Sequence, residues 1–587
     1  MADTDSQHHF HGDLSHAEAQ TTSTIDSKRG GWITFPFITV GVLGLTLASG
    51  GWLSNLIVYL IEEFNVKSVD AAQISNIVSG CTSLFPIAGA ILADSLFGCF
   101  SVITFSSIVS LLGIILLTLT AMLDSLRPSH GETPSRLQLG VLYSALTLTS
   151  IGLGGTRFTI ATMGADQLIK PKDQGVFFNW YFFTIYVSSV ISFTAIVYVE
   201  DNVGWGWGFG LSAAVNAVGL AVFWAGKRYY RSVKPKGSPF VSLARVVVAT
   251  IRKWKLVVPL MLSSQNQQSK DDSYYYGQTE VAELPSYSVP TPSFRFLNRA
   301  AIKTEGDTRP DGSIAKPWRL CTMEQVEDLK TLLRLFPLWS SGIFLSTPIG
   351  IQISLTVLQA LTMDRHLGPH FQIPAGTFLV FSLLSTAISI SVIDRFLPST
   401  WYRLTGRSLT PLQRVGLGHV LNIMAMAGSA VVESRRLHVV RSNQLENQTG
   451  STVLPISALW LALPLVIVGA GEALHFPGQV SLYYQEFPMP LRSTATAMVA
   501  LLIGIGFYLS TVVIDLVRRV TGWLPDNINQ GRMDNIFWML VVIGVANFGY
   551  YLTCAKLYKY QNGGEWDTTS SSSECTDQKV QKDQDQE

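Results

Sequence analysis

Arg157 lies near the C-terminal end of an apolar stretch that begins at Leu137 and carries no other charge. Glu472 lies in a second apolar stretch, from about Val453 to Tyr484. A guanidinium at membrane depth costs at least ~2.5–3.5 kcal/mol on insertion scales, so it must face a partner or a wet cavity. One permanent cation and one carboxylate, placed in opposite halves of the chain, suit an ion pathway between those halves. The alternative is a structural salt bridge locking two helices. His475 follows Glu472 by three residues and shares its helix face. An imidazole titrates near neutrality, so His475 is a candidate to tune Glu472 or to carry a proton. The plainer reading of His475, and of His419, is a hydrogen-bonded helix residue. Pro348 and Pro477 fall within apolar stretches, where each removes a backbone hydrogen bond and permits a gating kink. Proline is also frequent in membrane helices that do not gate. No Ser-His-Asp set, phosphate-binding loop or metal-ligand spacing occurs in a plausible context, so no enzyme activity, cofactor or metal is expected.

These residues need a membrane scaffold. The 587 residues are only 14% charged, and mean hydropathy is +0.29. That balance fits a polytopic membrane protein better than several soluble domains. A net charge of +1 gives no reason to expect a nucleic-acid partner, and the five cysteines show no disulfide framework. A helix needs about 20 apolar residues to cross the hydrocarbon core. Twelve stretches qualify: 32–61, 72–93, 100–123, 137–163, 176–199 and 205–226, then 335–361, 375–393, 412–432, 453–484, 494–517 and 535–555. The polar segment 227–334 separates two groups of six. The expected fold is therefore all-α, a major facilitator fold of two six-helix bundles, 32–226 and 335–557. Polar tails, 1–31 and 558–587, are expected to be disordered. No cleavable signal is apparent, and the first span is expected to serve as the targeting signal.

Basic residues set the expected orientation. Lys227, Arg228 and Arg231 follow the sixth span, Lys170 and Lys172 the fourth, and Arg395, Arg403, Arg407 and Arg414 lie between the eighth and ninth. The positive-inside rule puts these segments, and both termini, in the cytoplasm. Arg435, Arg436 and Arg441 then fall outside as an exception. Asn447-Gln448-Thr449 is a glycosylation sequon on that outer side. Within 240–257, Leu243, Val246, Val247, Ile251 and Trp254 share a helical face, with Arg245, Arg252, Lys253 and Lys255 around it. This pattern predicts a helix lying on anionic lipid or packed on the bundles. Ser263 to Ser293 is expected to be disordered.

An ordered set of motifs resembles the plant nitrate and peptide transporter family, within the proton-coupled oligopeptide transporters. Gly89-Ala-Ile-Leu-Ala-Asp94-Ser-Leu-Phe-Gly98 resembles the facilitator signature between spans two and three. Gly154-Gly155-Thr156-Arg157, Phe177-Phe178-Asn179-Trp180-Tyr181, Trp318-Arg319-Leu320-Cys321-Thr322, Met363-Asp364-Arg365 and Gly471-Glu472-Ala473 match in order along residues 30 to 560. The resemblance implies the facilitator fold and assigns Arg157 and Glu472 to a substrate cavity.

The departures from the family pattern bear on mechanism. The family's first span usually carries a Glu-x-x-Glu-Arg cluster assigned to proton coupling. Val42, Leu45 and Thr46 occupy those positions here, and none titrates. The usual fourth-span lysine is Arg157, and arginine cannot release a proton in proteins. Ile349 and Val102 replace, respectively, a histidine associated with nitrate and a threonine phosphorylation switch of the dual-affinity member. The stretches around Gly30–Phe37, Ile57–Ser68, Glu472–Gly478 and Trp523–Asp526 look closest to the nitrate excretion subgroup. The resemblance thus implies passive, low-affinity nitrate efflux by alternating access at the plasma membrane, without the usual proton-coupling motif. Carriage of chloride or another small anion, or anion sensing without transport, stays open, and the oligomeric state is not encoded.

Overall fold

The computed structural model describes residues 30–558, apart from 130, 158, 232–238, 257–275, 277–290, 311–312, 408, 447–452 and 487–494. The sequon at Asn447, both terminal tails and most of the segment 263–293 lie outside the described residues. Among the described residues, twelve helices are long and apolar enough to cross a membrane. The first six are Trp32–Ser54, Ser68–Phe97, Cys99–Met122, Arg136–Asp166, Val176–Asn202 and Trp205–Arg228. The second six are Met323–Thr362, Ala375–Ile393, Pro411–Ser442, Ala458–Tyr483, Met498–Val520 and Met533–Leu557. A helix satisfies its own backbone hydrogen bonds, which is what apolar surroundings demand. The chain is an all-α membrane protein of the major facilitator type. Its one named strand pair joins Met363–Asp364 in parallel to Leu454–Ser457.

Several helices run well past their apolar stretches. The seventh span begins at Met323, twelve residues before the expected start. Thr322 and Gln325 form a capping box there. Glu327 and Lys330 are tolerated because they pair at 2.7 Å across one turn. The ninth span extends to Ser442 and begins at a second capping box, Thr410 with Gln413. Its extension absorbs Arg435 and Arg436, which were expected in an outer loop. Arg436 is instead fully buried and holds Glu433 with two hydrogen bonds of 2.8 and 2.7 Å. Arg436 is thus neutralised inside a helix, while Arg435 and Arg441 are exposed.

The two bundles meet tightly at the face opposite the central segment, here termed the far face. Lys67 Nζ sits 2.6 Å from Asp526, and Arg518 lies 2.5 Å from the same carboxylate. Arg518 also pairs with Asp70. Arg365 approaches Asp201 at 4.0 Å, and the Thr377 hydroxyl donates to the Phe193 carbonyl at 2.8 Å. Deeper down, Cys81 and Tyr508 are 2.8 Å apart. The ion pairs between the bundles named here all lie at the far face. The molecule is closed on the far side.

The central segment is a packed unit. Its helix spans Pro239–Arg252 and packs on a short helix, Arg295–Ala301, and on the start of the seventh span. Val246 and Ala249 are buried with Leu297, Ala300, Cys321 and Met323. The expected single apolar face is therefore split. Val246 packs inward, while Val247, Ile251 and Trp254 stay exposed. Lys253, expected on the surface, is buried against Asp307 at 2.8 Å and donates to the Ile302 carbonyl. Burial alone would raise the Asp307 pKa. Contacts from Lys253, Thr304 and Arg319 outweigh it and hold the carboxyl below its ordinary value.

Candidate functional site

Small residues create the fourth-span end of the site. A Cβ on Gly155 would lie 2.8 Å from the Ser106 Cβ, and one on Gly89 would lie 2.8 Å from the Gly155 Cα. Glycine at both positions lets spans two, three and four touch backbone to backbone. That packing fixes the Arg157 main chain, whose carbonyl accepts a 2.7 Å hydrogen bond from the Tyr181 hydroxyl of span five. The Arg157 side chain is exposed rather than sealed in the bundle. Gly98 opens the third span at a φ of +74°, a conformation natural to glycine. Asp94 lies on the helical turn Ala93–Phe97 just before it, and its side chain is outside the described set.

The tenth span supplies the other wall. Gly469 packs on the Ser382 and Ser385 region of span eight, and Gly471 on Gly418 and Leu421 of span nine. The Thr386 hydroxyl reaches the Gly469 carbonyl at 3.1 Å and lies beside Glu472. Glu472 itself is half-buried. Arg157 and Glu472 form no ion pair in this conformation. Tyr186, on span five, lies within electrostatic range of both charges. The first bundle thus supplies an exposed cation, Arg157, and the second a half-buried carboxylate, Glu472.

The first-span positions add no charge. Val42 and Leu45 are buried, packed with Ile103, Ile160 and Phe223, and Thr46 is half-buried. Tyr59, the one ionisable side chain between Trp32 and Ile61, shares a 2.9 Å hydrogen bond with Thr120 inside the same bundle. Ile349 and Val102 are buried as well.

His475 is placed differently from Glu472. It is fully buried against span nine, its ring 5.1 Å from that of His419 and nearly perpendicular to it. His419 in turn stacks on Tyr551 at 4.7 Å. A Cβ on Gly418 would fall 2.7 Å from the His475 Cβ, so Gly418 makes room for the imidazole. Neither His475 ring nitrogen makes a hydrogen bond of good geometry. The imidazole pair packs spans nine, ten and twelve together, away from Arg157. Pro348 and Pro477 stand inside the seventh and tenth helices, but Pro86, Pro337 and Pro398 also stand inside helices.

Some residues escaped the sequence reading. Arg157 is not the only strong cation deep in a span, because Arg436 is buried in the ninth. Its guanidinium also reaches Asn529 at 2.6 Å and Thr362 at 3.2 Å, while Gln359 donates to Glu433 at 2.6 Å. The Glu433-x-x-Arg436 spacing was the available signal. Buried Glu200 accepts from Asn55 at 3.2 Å near the far face. The ladder of Lys67, Asp526, Arg518 and Asp70 was readable only as scattered charge, since it joins the start of span two to the end of span eleven, more than 400 residues apart.

A family model described as the POT family matches residues 100–530. Protein NRT1/ PTR FAMILY 2.7 of Arabidopsis thaliana is 55% identical over 556 residues, covering 93% of this chain and 96% of that protein. Protein NRT1/ PTR FAMILY 2.6 of the same plant is 53% identical over 554 residues, covering 93% and 96%. Among solved structures, an auto-inhibited POT family peptide transporter aligns with a TM-score of 0.67 at 16% identity, covering 91% of this chain and 98% of that one. A peptide transporter in complex with sulfate aligns with a TM-score of 0.62 at 13% identity, covering 92% and 99%.

Proposed function

The chain belongs to the POT family of membrane transporters, and on that premise we propose that it carries a small inorganic anion, nitrate, passively and with low affinity out of the cell. It works at the plasma membrane, with both termini and the central segment in the cytoplasm. Arg157 attracts the anion into the space between the bundles 32–226 and 335–557. Glu472 exchanges with the anion as the partner of Arg157 when the halves rock, so that no buried charge is left bare. Support comes from the family membership, from the motif resemblance to the nitrate excretion subgroup and from the chemistry of the wall. The fourth-span cation is an arginine where the family usually has lysine, and the first span offers only Val42, Leu45 and Thr46 where a proton carrier would be needed.

The energetics suit efflux. An inside-negative potential drives a monovalent anion outward by ~2.3 kcal/mol per 100 mV. At ~1.4 kcal/mol per factor of ten, that sustains roughly a fifty-fold outside excess. The lock at the far face leaves this conformation unable to release to that side, so it corresponds to the loading state for export. The observation that carries the reading is one charge from each bundle, Arg157 exposed on span four and Glu472 half-buried on span ten, with no ion pair between them. The test is nitrate flux from vesicles reconstituted with Arg157→Ala and Arg157→Lys. Alanine should abolish flux in a protein that remains folded, and lysine should retain part of it with a new pH dependence. Normal flux through Arg157→Ala would move the binding site elsewhere.

A further inference from the structure

We propose that the crevice between spans eight, nine and ten at the central-segment face binds the headgroup of an anionic phospholipid. The crevice encloses about 600 Å³. Ser399, Tyr402 and Arg403 from the eighth helix line one side. Thr410 and Arg414 at the start of the ninth, and Ser481 of the tenth, complete it. Among the described residues that line it, none is acidic. Arg403 is exposed, and Arg414 spends one nitrogen on the Ala473 carbonyl at 3.3 Å. The connecting sequence from Asp394 to Arg414 holds four arginines against one aspartate, so the surrounding field is positive as well.

The eighth helix says what kind of anion belongs there. It runs without interruption from Val380 to Thr405, past the usual depth of a span. Leu384, Ile388, Val392 and Phe396 are all exposed, at 40%, 62%, 48% and 60%, and recur every four residues. At about 100° per residue, Ser399 and Arg403 fall within the arc that this stripe sweeps. The apolar stripe therefore leads down to Arg395, Ser399 and Arg403, which share its arc and are all exposed. A free anion would use only the lower end. A phospholipid uses both, with an acyl chain along Leu384 to Phe396 and its phosphate at Arg403. Tyr402, 63% exposed, sits at the junction, where amphipathic rings favour the headgroup level. Basic pockets between membrane helices recognise anionic headgroups by this division of labour. The site is separate from Arg157, and its occupancy by lipid does not depend on which anion the protein carries.

The test uses the full-length protein in detergent, with dioctanoyl phosphatidylglycerol, dioctanoyl phosphatidylcholine and inorganic phosphate as probes. Binding is read by native mass spectrometry and by the thermal midpoint. Phosphatidylglycerol should bind more tightly than phosphatidylcholine. Arg403→Gln should weaken it about five-fold, the equivalent of one basic contact near a membrane surface. Arg519→Gln, an exposed arginine of span eleven, should leave it unchanged. Equal binding of the two lipids, an equal loss in both variants, or no loss in Arg403→Gln would overturn the proposal. Stabilisation by inorganic phosphate as strong as that by phosphatidylglycerol would also overturn it, in favour of a free-anion site. None of these readouts depends on flux, so failure here leaves the transport reading untouched.

Discussion

Asp526→Asn should loosen the far face. Asp526 accepts from Lys67 of the first bundle at 2.6 Å and from Arg518 of the second at 2.5 Å. Asparagine keeps the size and one acceptor oxygen while removing the charge that two cations share. The partners are 28–61% exposed, so each contact counts as a surface pair worth ~0.2–1 kcal/mol. Of the two, only the Lys67 contact crosses between the bundles; taking ~1 kcal/mol for it, the population open at the far face rises about five-fold. Hydrogen exchange in lipid nanodiscs reads that population directly where opening is fast. Segments 66–72 and 521–530 should exchange about two- to ten-fold faster, and the central helix Pro239–Arg252 should not change. Molar salt should erase the difference, because the screening length falls to ~3 Å at 1 M. The pH dependence has a definite sign. The hydrogen bond from Lys67, the largest cause, holds the Asp526 carboxyl below its ordinary value. A depressed pKa keeps the lock at neutral pH and loses it as pH falls through the lowered value, below about 4. Wild type at that acidity should resemble Asp526→Asn at neutral pH. Identical exchange in the two proteins at low salt would refute the idea that this ladder holds the bundles closed.

Two further outcomes follow from buried charge. Glu472→Gln leaves Arg157 without its exchange partner, so nitrate should bind more tightly and leave more slowly; a lower half-saturation concentration with a lower maximal rate is expected, and no change in either would separate Glu472 from the pathway. Arg436→Met strands Glu433 in a dry helix packing and should cost ~3–5 kcal/mol, read as a fall in melting midpoint, while a double replacement that also converts Glu433→Gln should recover most of it.

Much of the scaffold was legible because membrane helices announce themselves by length and hydropathy. Their ends were not. Hydropathy penalises Glu327, Lys330, Glu433 and Arg436 as if each stood alone, whereas in the fold each has a partner one turn away. The helices therefore continue through residues that look like loop. Arg157 and Glu472 stood out because they are charges without a local partner, and the fold sets both near Tyr186. His475 looked equivalent from its spacing, yet sixty degrees of helix rotation separates a lining group from a packed one. That difference depends on Gly418 making room on a neighbouring helix, which no local pattern encodes. The central helix shows the same limit. Its apolar face was visible, but which part packs inward depends on Asp307, more than fifty residues later, drawing Lys253 into the core.

The central claim is passive anion export through Arg157 without proton coupling. Its most direct test is nitrate movement into and out of vesicles reconstituted with the intact protein, with membrane potential clamped and the pH gradient varied. Passive carriage requires that flux follow the nitrate gradient and the potential, and that a pH gradient at zero potential drive no uphill movement. Uphill nitrate accumulation driven by the pH gradient alone would contradict the claim and would point to Glu472 as a proton carrier.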